Sequence, residues 1–407
     1  MKCRFCGTQL SEVFLDLGSA PPSNAFLSAD QLHAPEQYFP LRLFTCSDCY
    51  LVQVDEVQSH GILFSSDYVY FSSYSSTWLE HARSFVAQVT QKLGLGSQSL
   101  VMEVASNDGY LLQYVKALGI PCVGVEPTAS TAACARKLGI ESIQSFFGQR
   151  FAEDFVSIRR PVDLVIGNNV LAHVPDLNDF VSGLAKVLRA EGVVTVEFPH
   201  LLQLVALRQF DTVYHEHFSY FSLHTVQRIF AAHGLRIWDV EELSTHGGSL
   251  RVWACQAGSD RAASDAVSTL LEKERAAGMT SISYYQGFQP LADSVKNEFL
   301  TFLLECKRQG KLVVGYGAAA KGNTLLNYAG VRQDLLAFVA DKSPHKQGMY
   351  LPGSHVPVHS ENHIRASKPD YVVIFPWNLK HEIADQLGYI REWNGRFVTA
   401  VPTMVVS

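Results

Sequence analysis

The chain has 407 residues, a formal net charge of -6 and 47% hydrophobic residues. That length exceeds the roughly 250–300 residues at which one hydrophobic core stops growing, so two or three domains are expected. The charge gives no broad cationic field of the kind duplex nucleic acid requires, and no apolar run approaches the roughly 20 residues that span a bilayer, so neither nucleic acid nor membrane is expected as a partner.

The N-terminal stretch MKCRFCGTQL lacks an apolar run followed by a small-residue cleavage site, which predicts a soluble, cytoplasmic protein. Of the 8 cysteines, Cys3, Cys6, Cys46 and Cys49 form two CxxC pairs. Cys122, Cys134, Cys255 and Cys306 are scattered through apolar segments and read as buried thiols. Residues 1–66 are rich in turn formers and hold both pairs, so this domain builds little core of its own. A metal tying four thiolates together supplies the missing stability. The turn-like CRFCG and CSDCY knuckles suit tetrahedral zinc; redox CxxC motifs or free thiols are the competing reading. With no further ligand nearby, the site reads as closed and structural.

Residues 67–257 form the second expected domain. The helical pattern WLEHARSFVAQVTQKLG leads into LVMEVA (100–105), a buried strand, then the turn SNDG, the helix YLLQYVKALG and the strand CVGVE (122–126). VDLVIGN (162–168) and VVTVEF (193–198) supply further strands. Strands alternating with helices predict a doubly wound, largely parallel α/β sheet, with its ligand outside the carboxyl ends of the strands where their order reverses.

In the strand–EVASNDG–helix unit, small residues let the backbone approach a ligand, and Glu126, closing the next strand, suits ribose hydroxyls. A dinucleotide requires G-x-G-x-x-G, yet only Gly109 is present, with Asp108 before it to repel a pyrophosphate. S-adenosylmethionine has no phosphate and carries a sulfonium and an ammonium, which an acidic turn suits better. A plain strand-to-helix connection is the competing reading.

YHEHFSYF (214–221) concentrates Tyr214, His215, Glu216 and His217 in a chain that is 18% charged. Metal binding is disfavoured because HEH lacks the i, i+4 histidines of HExxH. Proton transfer fits a histidine, whose unperturbed pKa is about 6.5; buried polar residues satisfying the backbone are the bland alternative. If extended, the segment puts Tyr214 and Glu216 on one face and the two histidines on the other; if a turn, all converge.

Residues 258–407 begin with a long helical region and continue with KLVVGYG, the turn AAAKGN, LLAFVADKS and YVVIFPWN, the order of a second, smaller Rossmann-like unit. Lys321 and Asn323 in that turn suit a diphosphate, a solvated helix end being the alternative for Lys321. Trp377 and Asn378 lie at a strand end of the same unit. Upstream, His246 opens HGGSLR, whose glycines permit close backbone approach to a ligand.

Taken together, CRFCG…CSDCY, EVASNDGYLL, GNNVLAHVPD (167–176), FDTVYHEHFSYFS (210–222), HGGSLRV (246–252) and GYGAAAKGNTLLNY (315–328) resemble the zinc-containing sugar C-methyltransferases over nearly the whole chain. The resemblance implies a zinc domain, a class I methyltransferase sheet and a C-terminal Rossmann-like domain. It also implies S-adenosylmethionine-dependent methylation at C3 of a TDP- or GDP-linked 4-keto-deoxysugar. Cys3, Cys6, Cys46 and Cys49 are then zinc ligands, and Glu103, Ser106, Asn107, Gly109, Glu126, Asn168 and Asn169 hold the cofactor. Tyr68, Tyr70 and His173 line the sugar pocket, with His246, Lys321 and Asn323 also on the substrate side.

Tyr214, Glu216 and His217 form the implied active-site set. His217 is expected to take the C3 proton, Glu216 to orient an imidazole or a sugar hydroxyl, and Tyr214 to donate to the enolate or serve as the alternate base. The rival readings are an NAD-dependent nucleotide-sugar oxidoreductase and a non-catalytic, zinc-containing nucleotide-sugar-binding protein.

Overall fold

The computed structural model describes residues 1–55 and 71–407. Tyr68 and Tyr70 lie outside the described residues. In the first lobe, β1 (Glu12–Ala20) pairs antiparallel with β2 (Phe39–Thr45), and β2 with β3 (Val52–Val54). Leu15, Leu17, Leu41, Leu43 and Val52 bury one side of this small sheet.

The second lobe follows with β4 (Val101–Val104), β5 (Cys122–Val125), β6 (Glu141–Ile143), β7 (Val162–Asn168) and β8 (Leu188–Pro199). The short strand β9 (Ser219–Tyr220) comes next, then β10 (Leu235–Leu243) and β11 (Ser249–Gln256). Seven of these form one sheet in the order β10-β11-β8-β7-β4-β5-β6. All run parallel except β11, which is antiparallel to both its neighbours. Strands buried on both faces read as near-continuous apolar runs, as VMEV, interrupted only by Glu103, and LVIG do here. The order reverses between β4 and β7, so a crevice opens beyond their carboxyl ends. This is the class I methyltransferase sheet.

β9 does not join that sheet. It leaves the second lobe to pair with β3, Val52 opposite Tyr220, and the N–H of Val54 donates to the Phe218 carbonyl at 3.1 Å. The first lobe's four-stranded sheet therefore takes its last strand from the residues just after the YHEH run.

Next comes the helix Leu223–Ala232, whose first N–H groups are satisfied by a carboxylate distant in sequence. Glu274, buried on the helix Asp265–Ala276, accepts from the N–H of Leu223 at 2.6 Å and of His224 at 2.8 Å, and from His200 Nε2 at 2.7 Å. Glu274→Ala strands three buried donors at about 1–3 kcal/mol each, so the melting temperature is expected to fall by roughly 10 °C, read by calorimetry. A shift below about 2 °C would contradict this buried role.

The third lobe contains β12 (Val313–Tyr316), β13 (Val339–Ala340), β14 (Val358–His359), β15 (Tyr371–Ile374), β16 (Arg396–Thr399) and β17 (Val405–Val406), ordered β14-β13-β12-β15-β16-β17. Only β17 is antiparallel. Here the order reverses between β12 and β15. The first and third lobes share one core with the YHEH segment: Phe14, Val213, Phe218, Phe288 and Leu325 belong to it, and Phe14 stacks on Phe288 with centroids 4.8 Å apart. Among the described residues no helix is long and apolar enough to cross a membrane.

Candidate active site

The four N-terminal cysteines converge as two similar knuckles. In each, the residue after the second cysteine has positive φ, Gly7 at 78° and Tyr50 at 59°, and donates its N–H to the first cysteine's carbonyl at 3.0 Å. The four Sγ atoms lie within 4.8 Å of one another, with Cys3 3.5 Å from Cys49 and Cys6 3.5 Å from Cys46. A tetrahedron of Zn–S bonds near 2.3 Å has edges of about 3.8 Å, so zinc fits. Gln53 Nε2 donates to Cys3 Sγ at 3.3 Å, and Thr225 Oγ1 donates to the Cys49 carbonyl at 3.1 Å. The second knuckle is thus bolted to the helix Leu223–Ala232.

The cofactor candidates line the crevice of the seven-stranded sheet. The turn after β4 has positive φ at Ala105 (56°), Asn107 (49°) and Gly109 (82°), a conformation that costs non-glycine residues energy and brings backbone close to a ligand. A Cβ on Gly109 would sit 2.7 Å from Ile140 Cδ1, so packing as well as φ demands glycine. Glu126 pins the turn: its Oε2 accepts from the N–H of Asn107 and its Oε1 from that of Thr128, both at 2.9 Å. Asp108 accepts from the Ser73 hydroxyl at 2.5 Å, and Asn107 Oδ1 from the N–H of Ser72 at 3.0 Å.

Burial holds the Glu103 carboxyl well above its usual range, and the charges of Asp108 and Glu126 add to this. The Ser106 hydroxyl and both polar atoms of the Asn168 side chain are buried with no partner among the described residues. Unpaired polar atoms beside crowded carboxylates fit a cofactor that is cationic and rich in hydrogen-bonding groups, as S-adenosylmethionine is. Trp78 walls the crevice, its ring 5.9 Å from Tyr110 and 5.2 Å from His246. Asn169 Nδ2 donates to His246 Nε2 at 3.0 Å. Removing the carboxyl that pins the turn, by Glu126→Ala, should weaken S-adenosylhomocysteine binding about tenfold or more by calorimetry and, because the N–H groups of Asn107 and Thr128 lose their acceptor, also lower the melting temperature; unaltered affinity would remove Glu126 from the cofactor site.

The 214–217 run is a turn, closed by the His217 N–H on the Tyr214 carbonyl at 3.0 Å. Its side chains divide. The Tyr214 hydroxyl meets His217 Nε2 at 2.8 Å, with ring centroids 4.0 Å apart. His215 turns toward the first lobe, its Nε2 donating to the carbonyls of Phe39 and Pro40 at 3.3 and 3.2 Å. The Glu216 carboxylate has no imidazole hydrogen-bond partner among the described residues. One oxygen accepts from Asn24 Nδ2 at 3.2 Å and the other is buried without a partner, while burial raises its pKa.

The Glu216 backbone carbonyl, rather than its carboxylate, orients an imidazole: His173 Nδ1 donates to it at 2.8 Å. The His173 ring lies edge-on to His217, centroids 4.6 Å apart. Burial lowers His173 to about 4. His217 is held well below its ordinary value by burial above all, and the neighbouring His173, His246 and Lys321 further disfavour its protonation. Both rings are therefore neutral near pH 7.

Residues of the third lobe reach this turn. Thr324 Oγ1 donates to the Val213 carbonyl at 2.7 Å, and Asn323 Nδ2 donates to the Ser23 carbonyl at 2.6 Å, next to Asn24. Sequence reasoning missed several participants. Asp211, buried and pushed up to about 6 by that burial, accepts from Trp377 Nε1 at 2.7 Å. Glu197, at the end of β8, is bound by His81 at 2.9 Å and by Arg251 Nε at 2.7 Å behind the Trp78 wall. Asp211 lies in FDTVYHEHFSYFS and Arg251 in HGGSLRV, but neither stretch gave these residues a role; only the positions of Asp211 and Glu197, beside YHEH and at a strand end, hinted at them.

Known proteins match this arrangement. A zinc binding domain family covers residues 3–64, a methyltransferase domain family 78–240 and a C-methyltransferase C-terminal domain family 244–402. C-methyltransferase NovU from Streptomyces niveus is 33% identical over 401 residues, covering 98% of this chain and 95% of that protein. Among solved structures, magnesium protoporphyrin IX methyltransferase (ChlM) from Synechocystis PCC 6803 with bound SAH matches with a TM-score of 0.35 and 17% identity, over 48% of this chain and 91% of that chain. PH0226 protein from Pyrococcus horikoshii OT3 matches with a TM-score of 0.38 and 14% identity, over 46% and 94%. With a curated relative matching almost end to end, the chain belongs to the zinc-containing, S-adenosylmethionine-dependent C-methyltransferase family.

Proposed function

We propose that this C-methyltransferase acts on C3 of a nucleotide-linked 4-keto-deoxysugar, with TDP or GDP as the nucleotide, by way of an enolate. The observation that carries the reading is the Tyr214–His217 pair at 2.8 Å, held in a turn to which the third lobe is hydrogen-bonded. Carbon is a poor nucleophile until a proton beside a carbonyl is removed, which calls for a neutral base and for a donor or cation at the carbonyl oxygen.

His217 serves as the base. Tyr214, bonded to its Nε2, either relays the proton or yields its place to the substrate. Glu216, with one carboxylate oxygen unpaired, takes a sugar hydroxyl or amine, and His173 packs against the base to fix its ring. Glu103, Ser106, Asn107, Gly109, Glu126, Asn168 and Asn169 hold S-adenosylmethionine, which supplies an electrophilic methyl on sulfur when bound. The third lobe holds the nucleotide sugar, with His246 and Asn323 on the substrate side. Zinc is structural and supplies no chemistry.

The test is to incubate the protein with labelled S-adenosylmethionine and a panel of TDP- and GDP-linked 4-keto-deoxysugars and to locate the new methyl by NMR. A methyl on C3 is expected. Label on oxygen, on nitrogen or at another carbon, or no incorporation with any member, would refute the assignment.

A further inference from the structure

Lys321, expected from its turn to meet a diphosphate, is held by side chains that also lead to the YHEH turn. It stands at the start of the helix Ala320–Tyr328, just beyond the carboxyl end of β12, and Trp377 and Asn378 follow the carboxyl end of β15. These are the two strands between which the third sheet reverses. Lys321 Nζ donates to Asn378 Oδ1 at 2.9 Å and lies 4.3 Å from the centroid of the Trp377 ring. Trp377 in turn donates to Asp211, whose other oxygen has no partner among the described residues. Asp211 is three residues before Tyr214.

The same helix carries Thr324, three residues on and therefore on the same face, whose hydroxyl is bonded to the carbonyl of Val213. Trp377 also packs on the turn bearing His246, just before β11: a Cβ on Gly247 would come within 2.4 Å of its Cη2. Lys321 is thus fixed on three sides, by Asn378, by the Trp377–Asp211 pair and by the helix that grips the reacting turn. Its charge bears on both His217 and His246. In a hexose, C3 and the C4 keto group lie across the ring from the diphosphate-bearing C1, so a cation placed beside the base faces the carbonyl side of the sugar.

We propose that Lys321 is a catalytic residue whose ammonium, aimed by Asn378, Trp377 and Asp211, stabilises the negative charge that develops on the C4 oxygen; this rests on the proposed sugar reading. In the step concerned the C3–H bond breaks, the proton passes to His217, and the bonding electrons spread over C3 and the C4 oxygen. The pair returns through C3 as the C4 carbonyl reforms and a C–CH3 bond is made, while the S–CH3 electrons remain on sulfur. A cation preorganised in a partly desolvated cleft favours the charged state without having to reorient solvent.

The experiment is hydrogen exchange. Protein, S-adenosylhomocysteine and TDP- and GDP-linked 4-keto-deoxysugars are mixed in heavy water, and deuterium at C3 is followed by NMR, alongside calorimetric binding of S-adenosylhomocysteine, nucleotide sugar and free TDP or GDP. In Lys321→Met the exchange rate at saturating sugar is expected to fall by on the order of 10²–10³, the range for one lost oxyanion donor, with nucleotide and S-adenosylhomocysteine affinities within about threefold of wild type. Lys321→Arg, which keeps the charge, is expected to recover part of the rate. Where Lys321→Met no longer binds S-adenosylhomocysteine, Lys321→Gln is read in its place by the same criteria. Exchange near the wild-type rate at saturation, with free nucleotide bound tenfold or more weakly, overturns the proposal and returns Lys321 to the diphosphate. Absence of exchange in the wild type with every sugar sinks the sugar reading instead, and the lysine's role with it.

Discussion

Replacing His217 with alanine or asparagine is expected to lower turnover by on the order of 10² or more while S-adenosylhomocysteine binds as it does to the wild type. The two properties separate because the cofactor crevice is built from the ends of β4, β5 and β7, whereas His217 lies in the turn before β9. The pH profile carries a second check. A base must be neutral to act, and His217 is neutral above a pKa depressed from its ordinary 6.5 by burial above all, with the neighbouring His173, His246 and Lys321 further disfavouring its protonation. Raising the pH through that pKa switches activity on, so the acid limb of kcat/KM should fall below pH 6.5 and vanish in the variants. Near-normal turnover in His217→Asn would move the base to Tyr214, and Tyr214→Phe would then carry the loss.

The second large effect is predicted for the metal. Cys46→Ser, or exhaustive chelation, should release one zinc ion per chain by elemental analysis and lower the melting temperature by on the order of 10 °C. The first lobe has a short sheet and two knuckles, and structural zinc contributes free energy that such a lobe cannot draw from burial alone. The damage should spread. Thr225 bonds the Cys49 carbonyl, and β3 pairs with β9 directly after the YHEH turn, so loosening the knuckle loosens the turn that carries the proposed base. Turnover is therefore expected to fall at least tenfold at temperatures where the protein remains folded. A metal-free variant with unchanged melting temperature and rate would contradict a structural site.

Much of the scaffold was legible because its signals are local. Two CxxC pairs in a turn-rich segment specify a tetrathiolate site whatever surrounds them. The apolar runs of β4, β5 and β7, followed by small and acidic residues, specify a doubly wound sheet and the end at which its ligand lies. The YHEH run was only half legible, because residues i and i+2 share a face in a strand but not in a turn, and four residues without a period do not choose between them. The structure chooses the turn, and that decision leaves the Glu216 carboxylate without an imidazole partner among the described residues.

Other parts depend on partners far apart in the chain. Asp211 gains meaning from Trp377, Glu216 from Asn24, and Glu274 from the first N–H groups of the helix at Leu223. The departure of β9 to the first lobe's sheet left no trace in its own sequence, since a two-residue strand has no pattern to read.

Asn323 and Thr324 show that the lobe proposed to choose the nucleotide also helps to seat the residues proposed to remove the proton. Such an enzyme is not assembled from interchangeable cassettes. A chimera taking residues 258–407 from a relative with another nucleotide preference would import that relative's grip on the turn as well, so selectivity and speed would change in one stroke. Over evolutionary time, drift toward a new sugar carrier would need compensating changes around Ser23 and Val213, so the two traits would evolve together.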